Sequence, residues 1–168
     1  MLELGRTGTA GAGTGALPVL RDGAVVATLQ ASNWKEVATA AVDDRRWVFA
    51  KRRGELTGCW EADPAEAVRL RARQTSFWRS TWAVDLEGTA VVVQNSSRWR
   101  GTHRFLVDGR VVAESGTTGG WSPRPTLRAE SLSLDHQVFL LWLELVLSRR
   151  RAAAGTAATT AAVIGGAS

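Results

Sequence analysis

The stretch that decides the fold is D-H-Q-V-F-L-L-W-L-E-L-V-L-S-R-R-R, residues 135–151. Residues 138–147 are all apolar except Glu144, so a helix formed here would present no polar face to water. Asp135 is a favourable residue at a helix N-terminus, and the arginines at 149–151 suit the negative end of the helix dipole. The pattern predicts a helix over about 135–151 that is apolar on every side.

A helix that is apolar on every side lies either in a protein core or in a membrane. The apolar run rises about 15 Å, half of the roughly 30 Å that a bilayer core requires. Glu144 would add a cost of about 3 kcal/mol near the bilayer centre. We therefore predict that the helix is buried inside the protein and that the chain has no transmembrane span.

The chain before this helix is typical of short antiparallel strands joined by tight turns. Asp22-Gly23 and Asp108-Gly109 each separate two runs of apolar residues, which is the pattern of a two-residue β-hairpin turn. Along residues 45–52, Trp47 and Phe49 share one face of the predicted strand, as period-two alternation requires. The spacing of turns predicts about twelve strands before the helix.

A long antiparallel sheet removes its exposed edges by closing into a barrel. A barrel of about twelve strands is too wide to be filled by its own side chains. The apolar helix supplies the missing interior. We therefore predict a mainly β fold: a closed antiparallel β-barrel of about twelve strands that encloses a C-terminal hydrophobic α-helix.

Three segments follow from this interpretation. Residues 1–15 are rich in glycine and predict a flexible N-terminal arm, and residues 152–168 predict a disordered tail rich in alanine, glycine and threonine. Residues 16–151 form the single barrel domain. The first residues lack the pattern of a secretory signal, and we expect a cytoplasmic protein.

Composition narrows the function classes. The chain has 45% hydrophobic and 22% charged residues and a formal net charge of +5, which indicates a basic globular protein. Cys59 is the only cysteine, and His103 and His136 are too far apart for a metal-ligand motif. No nucleophile elbow or phosphate-binding glycine loop is present. We predict a protein that is not an enzyme, with no catalytic residues, metal or cofactor.

The segment 95–104 combines arginines, hydroxyl groups and a glycine, a composition suited to an anion. The same composition is also that of a solvated connection between two strands. If the segment binds an anion, its candidate ligand-binding residues are Arg98, Trp99, Arg100, His103 and Arg104.

Glu144 is a carboxylate on a helix predicted to be buried, so it needs a partner or a wet environment. The candidate partners are Arg45, Arg79 and Arg104 on the strands. Such a pair would be either a structural latch or the floor of a ligand pocket.

The chain has eight tryptophans and no tyrosine. Most alternate with polar residues in strands and fit a barrel core, whereas Trp99 and Trp121 have polar neighbours and are expected at the surface. Exposed tryptophan beside arginine suits stacking on nucleic-acid bases or contact with a membrane surface.

About twelve strands followed by the helix that ends in Leu140-Leu141-Trp142-Leu143-Glu144-Leu145-Val146-Leu147 resemble the Tubby C-terminal-like superfamily, which includes tubby proteins, phospholipid scramblases and LURP-one-related proteins. Tubby domains bind phosphoinositides and scramblases associate with membranes. The resemblance implies an anionic lipid or a phosphorylated ligand as partner, at the periphery of a membrane. The alternatives are a nucleic-acid-binding module and a protein-interaction domain without a small ligand.

Overall fold

The computed structural model describes residues 1–64, 67–76, 80–97, 100–120 and 122–164, with side chains described as far as Gly155. Twelve strands precede one long helix. The elements are β1 (Leu2–Leu4), β2 (Leu17–Arg21), β3 (Ala24–Ala31), β4 (Val37–Val42), β5 (Arg45–Arg52), β6 (Glu55–Trp60), β7 (Leu70–Ser76), β8 (Thr81–Leu86), β9 (Thr89–Ser97), β10 (Thr102–Val107), β11 (Arg110–Thr118), β12 (Arg124–Ala129) and α1 (Leu134–Ile164).

The strands form one closed antiparallel barrel. Each strand pairs with the next along the chain, and β1 closes the circle by pairing with both β2 and β12. The helix lies inside it, and residues 138–143 are buried without exception. The predicted barrel with an enclosed apolar helix is confirmed.

The tight turns have the backbone that their sequences predict. Asp22 and Gly23 have φ angles of 52° and 83°, and Asp108 and Gly109 have φ angles of 49° and 77°. Two successive residues of positive φ make a turn whose twist matches that of the flanking strands, and aspartate and glycine tolerate this backbone best. The two Asp-Gly hairpins therefore set the register of β2 with β3 and of β10 with β11.

The core is formed where the inward faces of the strands meet the helix. Trp47 and Phe49 on β5 both point inward, as their alternation predicted. The ring of Phe49 stacks on Trp142 of α1 at 5.2 Å between centroids and meets Phe139 edge-on at 5.4 Å. Such aromatic pairs add about 0.5–1.5 kcal/mol each to the burial of their surface.

Two predicted segment boundaries are corrected. The predicted flexible arm over residues 1–15 contains β1, whose Leu2 and Leu4 are buried in the core. The helix does not stop at residue 151: it continues to Ile164, since the alanine-rich sequence has a high helix propensity. The predicted disordered tail therefore begins with helix, and residues 165–168 lie outside the described residues.

Antiparallel strands place their connections alternately at the two ends of the barrel. We call the end where α1 begins the entry end. It carries the turns at 22–23, 43–44, 87–88 and 108–109. We call the opposite end, where the helix leaves the barrel, the exit end. It carries the loops around 32–36, 53–54 and 100–101, and helix residues 148–155.

The helix is anchored at the entry end by hydrogen bonds. Ser133 caps it, because its hydroxyl oxygen accepts the backbone N–H of His136 at 3.3 Å. Asp135, which the sequence suggested as the cap, instead lies in the first turn and faces the barrel wall. Its carboxylate accepts the indole N–H of Trp47 at 2.7 Å and pairs with Arg45 at 2.7 Å.

Candidate anion-binding site

A cleft of about 640 Å³ opens at the exit end, between the emerging helix and the ends of β10, β11 and β12. We call it the exit cleft. Its lining combines cationic side chains with small and polar groups from several loops. The lining includes Arg100, Gly101, Glu144, Ser148, Arg149 and Arg151.

Glu144 forms part of the wall of the exit cleft although its side chain is only 3% exposed. Its Oε1 lies 2.8 Å from Nδ1 of His103, which points inward from β10 and is equally buried. The carboxylate is therefore linked to a strand by a hydrogen bond with His103, and it also faces a cleft. A buried carboxylate needs such a partner to offset the loss of water.

The predicted partners of Glu144 were wrong where the structure describes them. Arg45 pairs with Asp135 at the entry end, and Arg104 points outward from β10 and pairs with Glu114 at 2.8 Å. Arg79 lies outside the described residues. Alternation explains the outcome, since His103 shares its strand face with the buried Phe105 and Arg104 has the opposite face.

The same alternation divides the predicted anion-binding cluster of segment 95–104. Arg100 lines the exit cleft, His103 lies beneath it against Glu144, and Arg104 is on the outer wall of the barrel. Arg98 and Trp99 lie outside the described residues, as does Trp121. Of the described residues in this cluster, Arg100 therefore contributes to the lining of the cleft and His103 contacts Glu144 beneath it.

Arg149 is a half-buried cation at the exit cleft that has no ionic partner among the described residues. Its Nη1 donates a hydrogen bond to the carbonyl of Ser32 at 2.7 Å. Among the residues that the structure describes, no carboxylate lies within ion-pair distance of Arg149, Arg100 or Arg151. Burial lowers the pKa of the Arg149 guanidinium, since a charge shielded from water and left without a counter-ion is costly.

The guanidinium of Arg151 lies directly against the backbone of Gly101, on the opposite wall of the exit cleft. A Cβ placed on Gly101 would overlap Nη1 of Arg151, so the guanidinium occupies the space that a side chain there would fill. Gly101 also has a φ of 59°, which favours glycine. The Nε of Arg151 donates to the carbonyl of Leu147 at 3.4 Å, so the side chain folds back over the cleft.

Arg150 differs from its two neighbours because it is neutralised. It donates two hydrogen bonds to the carboxylate of Glu36, one of them at 2.8 Å, and its guanidinium lies 5.2 Å from the ring centroid of Trp82. The hydrogen bond from Arg150 is the main cause that lowers the pKa of Glu36, and Lys51 adds to it. This pair fixes the helix to the loop between β3 and β4.

Trp34 stands at the tip of that loop and is 96% exposed. The hydroxyl oxygen of Ser32 accepts the backbone N–H groups of Trp34 and Lys35, at 3.3 and 3.1 Å, and so shapes the turn that presents the indole. Trp34 and Lys35 line a second, smaller cleft of about 260 Å³ that shares Arg149 with the exit cleft. An aromatic ring and several cations therefore meet at one end of the barrel.

Several residues of this site were not identified from the sequence as ligand-binding. Ser148, Arg149 and Arg151 were interpreted only as the end of a helix, although Glu144, Ser148 and Arg151 have the spacing of one helix face. That spacing was the available signal. Trp34 carried no local signal that distinguished it from the core tryptophans, because its exposure depends on the turn at Ser32.

Comparison with protein-family models, with curated proteins and with solved structures finds no match to this chain. The tubby-like assignment therefore rests on the architecture alone and stays a prediction. Within the described ranges, no group of three or more His, Cys, Asp or Glu side chains is arranged to hold a metal ion. In the part of the chain that the structure describes, no helix is long and apolar enough to cross a membrane.

Proposed function

We propose that this protein is a non-enzymatic, tubby-like barrel that binds an anionic ligand through the exit cleft, and that the ligand is a phospholipid headgroup at a membrane surface. One observation carries the proposal: Arg100, Arg149 and Arg151 line a single cleft, and no described carboxylate lies within ion-pair distance of any of the three.

The chemistry of these side chains favours a phosphate group. A guanidinium presents several N–H donors in one plane, which matches the oxygens of a phosphate. The guanidinium of Arg149 is half-buried without a described counter-ion, so an anion bound in the cleft would offset the cost of that burial. Hydrogen bonds between charged groups contribute about 1.5–3 kcal/mol each.

The surroundings of the cleft favour a ligand presented by a membrane. The exposed indole of Trp34 lies at the same end as the free arginines, and tryptophan is enriched where proteins meet lipid headgroups. Lys35 adds a cation beside it, and each basic residue near an anionic bilayer contributes about 1 kcal/mol. The protein would then be a cytoplasmic protein that associates with the membrane periphery.

The runner-up is a nucleic-acid-binding module. Exposed aromatic rings beside arginines are also what single-strand binders use, with bases stacked on the ring and phosphates on the cations. Trp34 and Arg149 have that juxtaposition. This alternative predicts binding to single-stranded oligonucleotides with a steep loss of affinity as salt rises.

The test is co-sedimentation of the full chain with vesicles of phosphatidylcholine alone and with added phosphatidylserine or phosphoinositide, at low and at physiological salt. The informative variant is the double substitution Arg149→Gln and Arg151→Gln. Its matched control is the pair Arg71→Gln and Arg104→Gln, which removes the same charge from cations that are ion-paired on the outer wall.

We expect headgroup-dependent binding that survives physiological salt and falls at least about 10-fold in the cleft variant, with little change in the control. Equal losses in both variants would mean attraction by net charge alone and would contradict the proposal. Binding to oligonucleotides but to no vesicle would favour the runner-up. Binding to neither would leave protein interaction as the function to pursue.

A further inference from the structure

The exit cleft holds hydrogen-bond acceptors as well as cations. Glu144 lines it, although a carboxylate beside a purely anionic ligand would repel that ligand. Ser148 lies one helical turn further on, and its hydroxyl donates its only proton to the carbonyl of Leu145 at 2.9 Å. The Ser148 oxygen therefore has only acceptor capacity left for a ligand. The cleft has donors at its rim and acceptors nearer the barrel interior.

The two kinds of group are about one helical turn apart. Glu144, Ser148 and Arg151 lie on the same face of α1 and all line the exit cleft. Ser148 is three residues before Arg151, a rise of about 4.5 Å along the helix. A ligand that satisfied both groups would therefore carry its positive and negative groups a short linker apart.

We infer that the exit cleft selects a phosphate ester that carries a protonated amine, with the phosphate on the arginines and the ammonium on Glu144 and Ser148. This inference rests on the proposed function and specifies its ligand. A two-carbon linker, as in an ethanolamine phosphate ester, matches the rise of about 4.5 Å between Ser148 and Arg151. The ammonium has several N–H donors, which matches two acceptors that face the same cleft.

The test compares ligands that differ only in the amine. Isothermal titration uses O-phosphoethanolamine against ethyl phosphate as soluble probes. Vesicles of phosphatidylcholine with phosphatidylethanolamine are compared with vesicles containing phosphatidylethanol, which has the same headgroup without the amine. The soluble pair reports a free ligand and the vesicle pair reports a membrane source. Generic attraction to a basic protein would favour the phosphatidylethanol vesicles, because that lipid carries a net negative charge.

We expect the wild-type chain to bind the amine-bearing member of at least one pair about 10-fold more tightly, since an ionic hydrogen bond is worth that much. Glu144→Gln should remove this preference while binding of ethyl phosphate stays equal or increases. Glutamine can still accept the His103 N–H, and a thermal melt checks that the variant is folded. Ser148→Ala is a second, independent variant, and it should lower the preference because it removes the other acceptor. Alanine has a high helix propensity, so this variant should keep the helix intact.

The outcomes separate the two proposals. If the wild type binds ethyl phosphate as tightly as phosphoethanolamine, and the two lipids alike, then the selection by Glu144 is wrong and the anion site stands. If the wild type binds none of these probes and also none of the phosphatidylserine or phosphoinositide vesicles of the first test, the proposed function itself is wrong. Retention of the amine preference in both Glu144→Gln and Ser148→Ala would also overturn the inference, since other groups would then hold the ammonium.

Discussion

The two ends of the same helix are built differently. At the entry end, Asp135 is bonded to Trp47 and Arg45, and His136 lies 3.0 Å from Glu87. At the exit end, the guanidinium of Arg149 donates to a backbone carbonyl and that of Arg151 lies over a glycine, and neither has a carboxylate partner among the described residues. The charges of Asp135 and His136 at the first end are neutralised within the protein, whereas those of Arg149 and Arg151 at the second end are not.

This difference predicts that the stability of the fold and the proposed ligand binding depend on opposite ends of the helix. A paired charge in a well-formed hydrogen-bond network holds one structure and has little left to offer a ligand. An unpaired, half-buried charge weakens the fold and is ready for a counter-ion. We therefore expect substitutions at the entry end to change the free energy of unfolding, and substitutions at the exit end to change binding.

The largest effect should come from breaking the helix that both ends share. Leu141→Asp places an unpaired charge among fully buried side chains and should abolish folding, because such a charge costs at least about 3–5 kcal/mol. Circular dichroism and thermal melting give the measurement. Leu141→Met is the control, with an expected loss below about 1.5 kcal/mol. A cooperative melt for the aspartate variant would show that the helix is not the core of the barrel.

The next effect concerns the entry end alone. Asp135→Ala leaves the indole N–H of the buried Trp47 without an acceptor, and we expect a loss of about 2–3 kcal/mol in urea unfolding. The exposed Arg45 contributes little to that value. Vesicle binding should not change. For comparison, Arg149→Gln at the exit end should leave the free energy of unfolding equal or higher and should reduce vesicle binding. Reduced binding by folded Asp135→Ala would remove the distinction between the two ends.

A smaller effect tests the close approach at Gly101. Gly101→Ala introduces a strained positive φ, costing about 1–2 kcal/mol, and its methyl group must displace the Arg151 guanidinium. Gly109→Ala carries the same backbone strain at a position with open space, so it separates the two causes. Both should lower the melting temperature similarly, and only Gly101→Ala should weaken anion binding. Equal binding by the two variants would show that Arg151 has no part in the site.

The smallest effect is a pH dependence. The pKa of Glu36 is lowered in the folded protein, so its bonds to Arg150 and Lys51 stabilise the fold above the unfolded value near 4.5 and are lost as pH falls through the folded value. The pair is partly exposed, so we expect at most about 1 kcal/mol. Unfolding free energies of wild type and Glu36→Gln should differ near neutral pH and converge in acid. A constant difference across this range would contradict the assignment.

The fold was largely accessible from the sequence because its strongest features are local. The Asp-Gly turns, the alternation of Trp47 and Phe49, and the apolar run from Val138 to Leu147 each depend on neighbours along the chain. The strand Leu2–Leu4 was missed because three residues before a glycine-rich loop carry too short a pattern. Its place in the barrel depends on β12, which is far away in the sequence.

The candidate site was less accessible, because it depends on contacts between distant segments. Arg98, Trp99, Arg100, His103 and Arg104 were grouped by their closeness along the chain, whereas a strand sends successive side chains to opposite faces. The partner of Glu144 was sought among long cations, and the inward-facing His103 was overlooked. The free state of Arg149 depends on the absence of a carboxylate nearby in space, and sequence spacing does not reveal that.

The closure of the barrel by β1 has a consequence for the order of assembly. The seam between β1 and β12 joins Leu2 to Leu127, so it cannot form until almost the whole barrel has been synthesised. If the barrel closed before the helix was inside, the apolar helix would remain outside in water. The strands must therefore wrap around the helix and join last, through contacts between the most distant parts of the chain. Closure through such non-local contacts makes folding slow. We expect the short strand β1 to be the last strand that pairs.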